Sequence, residues 1–262
     1  MEDKQHKRVP VVLCFGGHDP SGGAGVQADI EALAAGNCHA APVITALTVQ
    51  DSGQVYRFTA VDAALLREQV TRLVADFKPA AIKVGMLGSL DALAVVVEVA
   101  RQYPLLPLVV DPVLAAGSGG PLGEQGMAAH LLEKLIPLAT LVTPNTEELS
   151  AITGEKATDL AAQKLLATGC KAVLVTGTHA PSEDVTNMLY RTDRPPLAQD
   201  WPRLPHSYHG SGCTLASAVA AGLARGSDLE AAVIEAQAYT WNSLQHGEQL
   251  GSGQWIPRRV RS

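Results

Sequence analysis

The sequence predicts an α/β fold in three layers, a mostly parallel central sheet with helices on both faces and a small antiparallel flap. Three observations carry this expectation. Short, wholly apolar runs alternate along the chain with stretches of helical periodicity. Hydrophobic residues make up 47% of the 262 residues and aromatics only 4%, so Ala, Val, Leu and Ile must fill a large core. The stretch 183–208, rich in proline and strand-like alternation, is the one place where the rhythm breaks. No repeat, low-complexity tract or linker interrupts the chain, and residues 1–262 read as one domain.

Taken in order, VVLCF (11–15) reads as a buried strand and VQADIEALAAG (26–36) as a helix closed by glycine. PVITALTVQ (42–50) is a second strand, and DAALLREQVTRLVADF (62–77) an amphipathic helix with Asp62 as N-cap. AAIKVGML (80–87) is a strand and SLDALAVVVEVARQY (89–103) a helix capped by Ser89. LPLVVDPVL (106–114) and EQGMAAHLLEKLI (124–136) form the next strand and helix. ATLVTPN (139–145) leads into the short helix TEELSAITG, and DLAAQKLLATG (159–169) precedes the strand KAVLVTG (171–177). Two helices, 215–226 and 230–244, close the pattern.

The net charge of −6 argues against a nucleic-acid binder. No stretch reaches the ~20 apolar residues of a membrane span, and VVLCF is too short for a signal-peptide core. The four cysteines, Cys14, Cys38, Cys170 and Cys213, show no CxxC spacing, which fits free thiols in a cytoplasmic protein. The basic cluster Arg258, Arg259 and Arg261 reads as a solvated tail.

Parallel sheets bind ligands beyond the carboxyl ends of their strands. The glycines and polar residues sort to that edge: GGHDPSGGAG (16–25), Gln50 with Asp51, Gly85-Met86-Leu87, Asp111, Asn145 with Glu148, and Thr176-Gly177 with His179. Gly210-Ser211-Gly212-Cys213-Thr214 lies directly before a helix, where backbone N–H groups and the helix dipole suit an anion. There the dipole should lower the Cys213 thiol pKa, although a small buried hydrophobe is an alternative reading of that residue. Asp19 adds a carboxylate to the 16–25 loop, which lacks the Lys-Ser/Thr of a P-loop. Asp111, Asn145 and Glu148 offer oxygen ligands suited to Mg²⁺. Asn145 and Glu148 are equally a capping box. His18, His179 and His209 lie near the ligand loops without zinc spacing. Met86 and Val113 would wall a flat heterocycle or pack the core.

Together these segments resemble the hydroxymethylpyrimidine and phosphomethylpyrimidine kinases of the ribokinase superfamily, from about residue 11 to 245. The resemblance rests on GGHDPSGGAGVQADI (16–30), ITALTVQ (44–50), IKVGML (82–87), VVDPVLAAGSG (109–119), TPNTEEL (143–149), VLVTGTH (173–179) and HGSGCTL (209–215). It implies a homodimeric kinase that phosphorylates 4-amino-5-hydroxymethyl-2-methylpyrimidine with ATP, then phosphorylates the monophosphate. Cys213 would stand where the superfamily has its catalytic Asp, and the backbone of Gly210, Ser211 and Gly212 would hold the transferring phosphoryl group. Gln50 would pair with the pyrimidine edge, and Gly17, Asp19, Met86 and Val113 would bind substrate. Asn145, Thr176, Gly177 and His179 would face the nucleotide, and Asp111 and Glu148 the Mg²⁺, with a monovalent cation as a further candidate. One position departs from the pattern: Thr176 stands where relatives have a lysine, with Lys83 or Lys171 as candidate substitutes. A pyridoxal-type vitamin kinase and a non-catalytic pyrimidine-binding protein are the competing readings.

Overall fold

The computed structural model describes residues 8–115, 120, 122–177 and 183–260. Its nine strands form one sheet: β1 (Val11–His18), β2 (His39–Gln50), β3 (Val55–Ala60), β4 (Pro79–Val84), β5 (Leu108–Val110), β6 (Leu141–Val142), β7 (Ala172–Val175), β8 (Asp184–Arg191) and β9 (Leu197–Pro202). The order is β3-β2-β1-β4-β5-β6-β7-β8-β9. β2, β1, β4, β5, β6 and β7 run parallel, and β3, β8 and β9 are joined antiparallel to their neighbours.

Among the described residues eight α-helices accompany the strands: α1 (Gly25–Ala35), α2 (Ala63–Asp76), α3 (Leu90–Gln102), α4 (Met127–His130), α5 (Thr146–Thr153), α6 (Thr158–Ala167), α7 (Ser211–Ala224) and α8 (Leu229–Gln245). Side chains of successive strand residues point to opposite faces, and both faces are apolar. Leu13 and Phe15 of β1 therefore join one core, with α2, α3, α5 and α6. Val12 and Cys14 join the other, with α1, α7 and α8. The predicted caps are present: Asp62 accepts from Ala64 and Leu65 N–H, and Ser89 from Ala92 N–H.

The structure corrects the sequence reading at several elements. β3 was not expected. It is a half-exposed strand whose alternation is short, and it pairs with β2 across the turn 51–54. The region 183–208 does hold the expected antiparallel strands, β8 and β9, and they extend the central sheet from β7. Pro202 sits on the edge strand β9, where its missing N–H costs no ladder bond. The expected helix 124–136 is a short α4 that widens into a π-helical turn over Leu131–Leu135 and tightens to a 3₁₀ turn at Ile136–Leu138. Pro137 removes a donor in that last turn. α7 begins at Ser211 rather than 215, so Cys213 lies inside its first turn. Among the described residues, no helix is long and apolar enough to cross a membrane.

Candidate active site

The carboxyl ends of the parallel strands open into a cleft of about 630 Å³. Gly16 and Gly17 near the end of β1, Gln50 at the end of β2, Gly85 and Met86 after β4, Asp111 and Val113 after β5, Asn145 and Glu148 after β6, and Thr176 after β7 all line it. Gly210, Ser211, Gly212 and Cys213 line it as well. Thus residues 197 positions apart, Gly16 and Cys213, share one wall system.

One side of the cleft is apolar. Met86 is held there by its backbone: the buried Thr45 hydroxyl donates to the Met86 carbonyl at 2.5 Å. A Cβ on Gly17 would come within 2.9 Å of Met86 Sδ, so the thioether lies on bare backbone. Leu122, Val55, Phe58 and Val113 pack around Met86 and Ala46. Gln50 borders this wall. Its Nε2 donates to Thr48 Oγ1 at 2.6 Å, and that hydroxyl donates to the His18 carbonyl at 2.8 Å. The amide is thereby fixed as a polar edge beside a flat apolar slot.

The opposite feature is the start of α7. Gly210 is its N-cap, in the left-handed region at φ +79°, and offers no side chain to satisfy the first-turn N–H groups. No larger residue fits, since a Cβ would lie 2.8 Å from Arg259 Nη2 and 2.9 Å from Ala24 Cα. The free N–H groups and the positive end of the helix dipole face the cleft, which suits a phosphate.

Cys213 sits on this first turn, and its electrostatics differ from the expected depression. Burial pushes the thiol up to about 12, with the Asp111 and Asp29 charges raising it further against the lowering pull of Lys83. Desolvation thus outweighs the helix dipole, and the thiol is protonated at neutral pH. Asp111 is a close neighbour: a Cβ on Gly212 would lie 3.6 Å from both its carboxylate oxygens. Burial raises Asp111 above the ordinary carboxylate range. Burial likewise raises Glu148, and the Asp111 charge adds to it.

Asn145 and Glu148 form the capping box of α5, with Glu148 N–H donating to Asn145 Oδ1 at 2.8 Å and Asn145 N–H to Glu148 Oε2 at 3.0 Å. The structural and site readings of this pair coexist, because both residues also line the cleft. Among the described residues no group of three metal-ligating side chains is assembled. Two raised carboxylates facing one space are nevertheless a donor set that a divalent cation would relieve, with phosphate oxygens completing the shell. Asp111 and Glu148 therefore fit Mg²⁺.

Three expectations are revised. Asp19 is 1% exposed and is absent from the cleft wall. Its carboxylate accepts from the Ser21 N–H and hydroxyl at 2.8 Å and from Ala24 N–H at 2.7 Å, and it pairs with His209 Nε2 at 2.8 Å. It holds the loop in shape and does not reach substrate space. Lys171 lies at the amino end of β7, where its N–H bonds Ala139, at the far edge of the sheet from Thr176. Lys83 is fully buried and ion-paired with Asp29 at 2.7 Å. Burial disfavours its charge, but Asp29, Cys213 and Asp111 more than compensate and raise it. Neither lysine stands in for the missing one beside Thr176. His179 lies outside the described residues. Lys83, named from sequence only as a candidate phosphate cation, does line the cleft, and sequence reasoning missed Arg203, Trp201 and Trp241 on its β8–β9 side. Lys83 carries a signal in retrospect, a lone cation inside an apolar strand run.

Known proteins match this arrangement. The sequence pattern of phosphomethylpyrimidine kinase fits residues 19–257. A hydroxymethylpyrimidine/phosphomethylpyrimidine kinase of Rhizobium meliloti is 36% identical, covering 93% of this chain and 94% of the relative. Among solved structures, a phosphomethylpyrimidine kinase from Clostridium difficile superposes with a TM-score of 0.77 at 32% identity, over 89% of this chain and 98% of that one. A pyridoxal kinase from Staphylococcus aureus in complex with pyridoxal superposes with a TM-score of 0.88 at 26% identity, over 96% and 94%. The edge motifs, the anion turn at α7 and these likenesses together place the chain in the phosphomethylpyrimidine kinase family.

Proposed function

We propose that this kinase transfers the γ-phosphoryl group of ATP to the hydroxymethyl group of 4-amino-5-hydroxymethyl-2-methylpyrimidine, and then phosphorylates the monophosphate to the pyrophosphate. The observation that carries this reading is the shared cleft, in which a flat apolar slot with one amide edge opens onto a helix N-terminus without a side-chain cap. In the slot, the Gln50 amide would meet the ring's amino edge, and Met86, Val113 and the bare backbone at Gly17 would hold its faces. The alcohol oxygen attacks the γ-phosphorus as the bond to the β-phosphate oxygen breaks. First-turn N–H groups of Ser211, Gly212 and Cys213 would hold the transferring phosphoryl oxygens. Asn145, Glu148 and Thr176 would face the nucleotide phosphates, whereas Gly177 lies behind the wall, packed on the Thr186 backbone.

Asp111 and Glu148 would hold Mg²⁺, whose charge would neutralise the phosphates and offset the carboxylate charges that add to the burial raising Cys213. The Cys213 thiol, protonated in the free protein, would first lose its proton to solvent, which the Mg²⁺ charge and Lys83 favour. The thiolate would then orient the hydroxyl and take its proton late, when the alcohol is already committed to phosphorus in a loose transition state. The chain is read as one kinase domain, in the cytoplasm, where free thiols persist. We read it as a homodimer through the exposed face of β2 and β3.

The test is a coupled assay with ATP, Mg²⁺ and hydroxymethylpyrimidine, with products separated by anion exchange. Monophosphate followed by pyrophosphate is the expected result. Monophosphate alone would restrict the enzyme to one step and implicate Thr176. The closer superposition of the pyridoxal kinase gives a second reading, and phosphorylation of pyridoxal with none of the pyrimidine would establish it.

A further inference from the structure

Arg259 is the largest fully buried side chain of the described residues, although its sequence neighbourhood reads as a charged tail. Its guanidinium spends its donors on the site. Nε donates to Thr214 Oγ1 at 2.7 Å, Nη1 to Glu31 Oε2 at 3.1 Å, and Nη2 to the carbonyls of Gly23 and, at 3.4 Å, His209. Thr214 in turn donates its hydroxyl to the Gly210 carbonyl at 2.8 Å. One planar cation therefore joins three pieces: the 16–25 loop at Gly23, the residue before the anion turn at His209, and the first turn of α7 at Thr214.

The route by which the chain brings Arg259 there is also fixed. Beyond α8 it returns across the site, with His209 N–H donating to the Trp255 carbonyl and Trp255 N–H to the Ser207 carbonyl, both at 2.9 Å. Trp255 stacks on His206 with ring centroids 3.7 Å apart. The Tyr239 hydroxyl of α8 donates to the Arg259 carbonyl at 2.8 Å. A fork of donors with fixed angles holds several carbonyls in register, which a flexible ammonium cannot do.

We propose that Arg259 is a positioning residue for phosphoryl transfer. Acting through Thr214 and the Gly23 and His209 carbonyls, it holds the N–H groups of the α7 turn at the angle that the transferring phosphoryl group requires. The proposal rests on the kinase reading, and it differs from a role in folding alone. Small misplacements of such donors lower turnover while the ground-state pocket for the pyrimidine is left intact.

The experiment compares the full-length protein with Arg259→Ala and Arg259→Lys. Turnover is measured with ATP, Mg²⁺ and hydroxymethylpyrimidine, the fold is followed by circular-dichroism melting, and the turn is probed by the thermal shift that inorganic phosphate produces. The expected result is a fall in kcat of about a hundred-fold in Arg259→Ala, with KM for the pyrimidine near the wild-type value. Added guanidinium should restore part of that kcat, Arg259→Lys should fold yet remain slow, and the phosphate shift should shrink in both variants. Unchanged kcat and unchanged phosphate shift would overturn the proposal. A loss of kcat that only tracks the folded fraction, with no rescue, would overturn it too. A wild type that turns over no pyrimidine would defeat the kinase reading instead, and the phosphate shift would still decide for or against Arg259.

Discussion

At Cys213 two physical effects compete, and the larger one sets the chemistry. A helix N-terminus lowers a thiol pKa, but burial beside carboxylates pushes this one up to about 12. Alkylation of the ligand-free protein by iodoacetamide should therefore still accelerate as pH rises past 10, because more thiolate forms at each step. A rate at Cys213 that levels off near pH 8.5 would show an ordinary thiol. Replacing Cys213 with Ala should lower kcat for the alcohol by about a hundred-fold and leave ATP binding by calorimetry near wild type. At Thr176 the missing cation has a direct remedy. Thr176 lines the cleft next to Asn145, its β-bridge partner, so Thr176→Lys brings an ammonium toward the phosphates. The variant should bind ATP several-fold more tightly, about 1 kcal/mol for one added exposed charge contact, or speed the second phosphorylation. No change in either would mean that the wall already supplies the charge, and Arg203 on the β9 side is the residue to replace next.

At the scale of elements, the loop between β1 and α1 owes its shape to one buried carboxylate. Burial alone would raise Asp19, but hydrogen bonds from His209 and Ser21 outweigh it and hold the carboxyl at about 2, down from 3.8. A group whose pKa is lower folded than unfolded stabilises the fold above its unfolded pKa, and that contribution fades as pH falls through the folded value. The wild type should thus lose on the order of 2 kcal/mol between about pH 4 and pH 2 through this residue. Denaturant melts of Asp19→Asn should be less stable than wild type at neutral pH and should not show that loss. Equal acid slopes in the two proteins would remove Asp19 from the role. These elements differ in how far the sequence disclosed them. The parallel strands and their edge motifs were legible because apolar runs and glycine loops are local signals. β3 was not, because its alternation is short and its pairing with β2 is tertiary. Asp19 was read as a ligand because a carboxylate in a glycine loop looks the same whether it faces substrate or a histidine 190 positions away. The burial of Arg259 was invisible for the same reason, since its acceptor at Gly23 lies 236 residues earlier.

At the scale of the whole molecule, the end strands of the sheet are treated differently. β9 is an edge strand that carries Pro202, which discourages further pairing. At the other end β3 is the edge strand, and β2 beside it exposes Leu47 and Val49, 51% and 44% accessible, on the face where their β3 partners are Thr59 and Arg57. Leu47 and Val49 are two residues apart in a strand and so point the same way, forming an apolar strip beside the Gln50 wall of the cleft. Apolar area left in water by a monomer is worth about 25 cal/mol per Å² when a partner covers it. A second copy meeting the first on this strip would also tie the substrate loop after β2 to the subunit contact. The expected outcome is a dimer in sedimentation velocity for the wild type and a monomer for Leu47→Glu with Val49→Lys, since two charges replace the apolar strip without touching either core. KM for the pyrimidine should rise in the monomer and KM for ATP should hold, because β2 carries Gln50, the residue proposed to meet the pyrimidine, while Thr176 and Asn145 lie across the cleft. A double variant that remains dimeric would place the subunit contact elsewhere, and a wild type that sediments as a monomer would leave the strip as an ordinary exposed face.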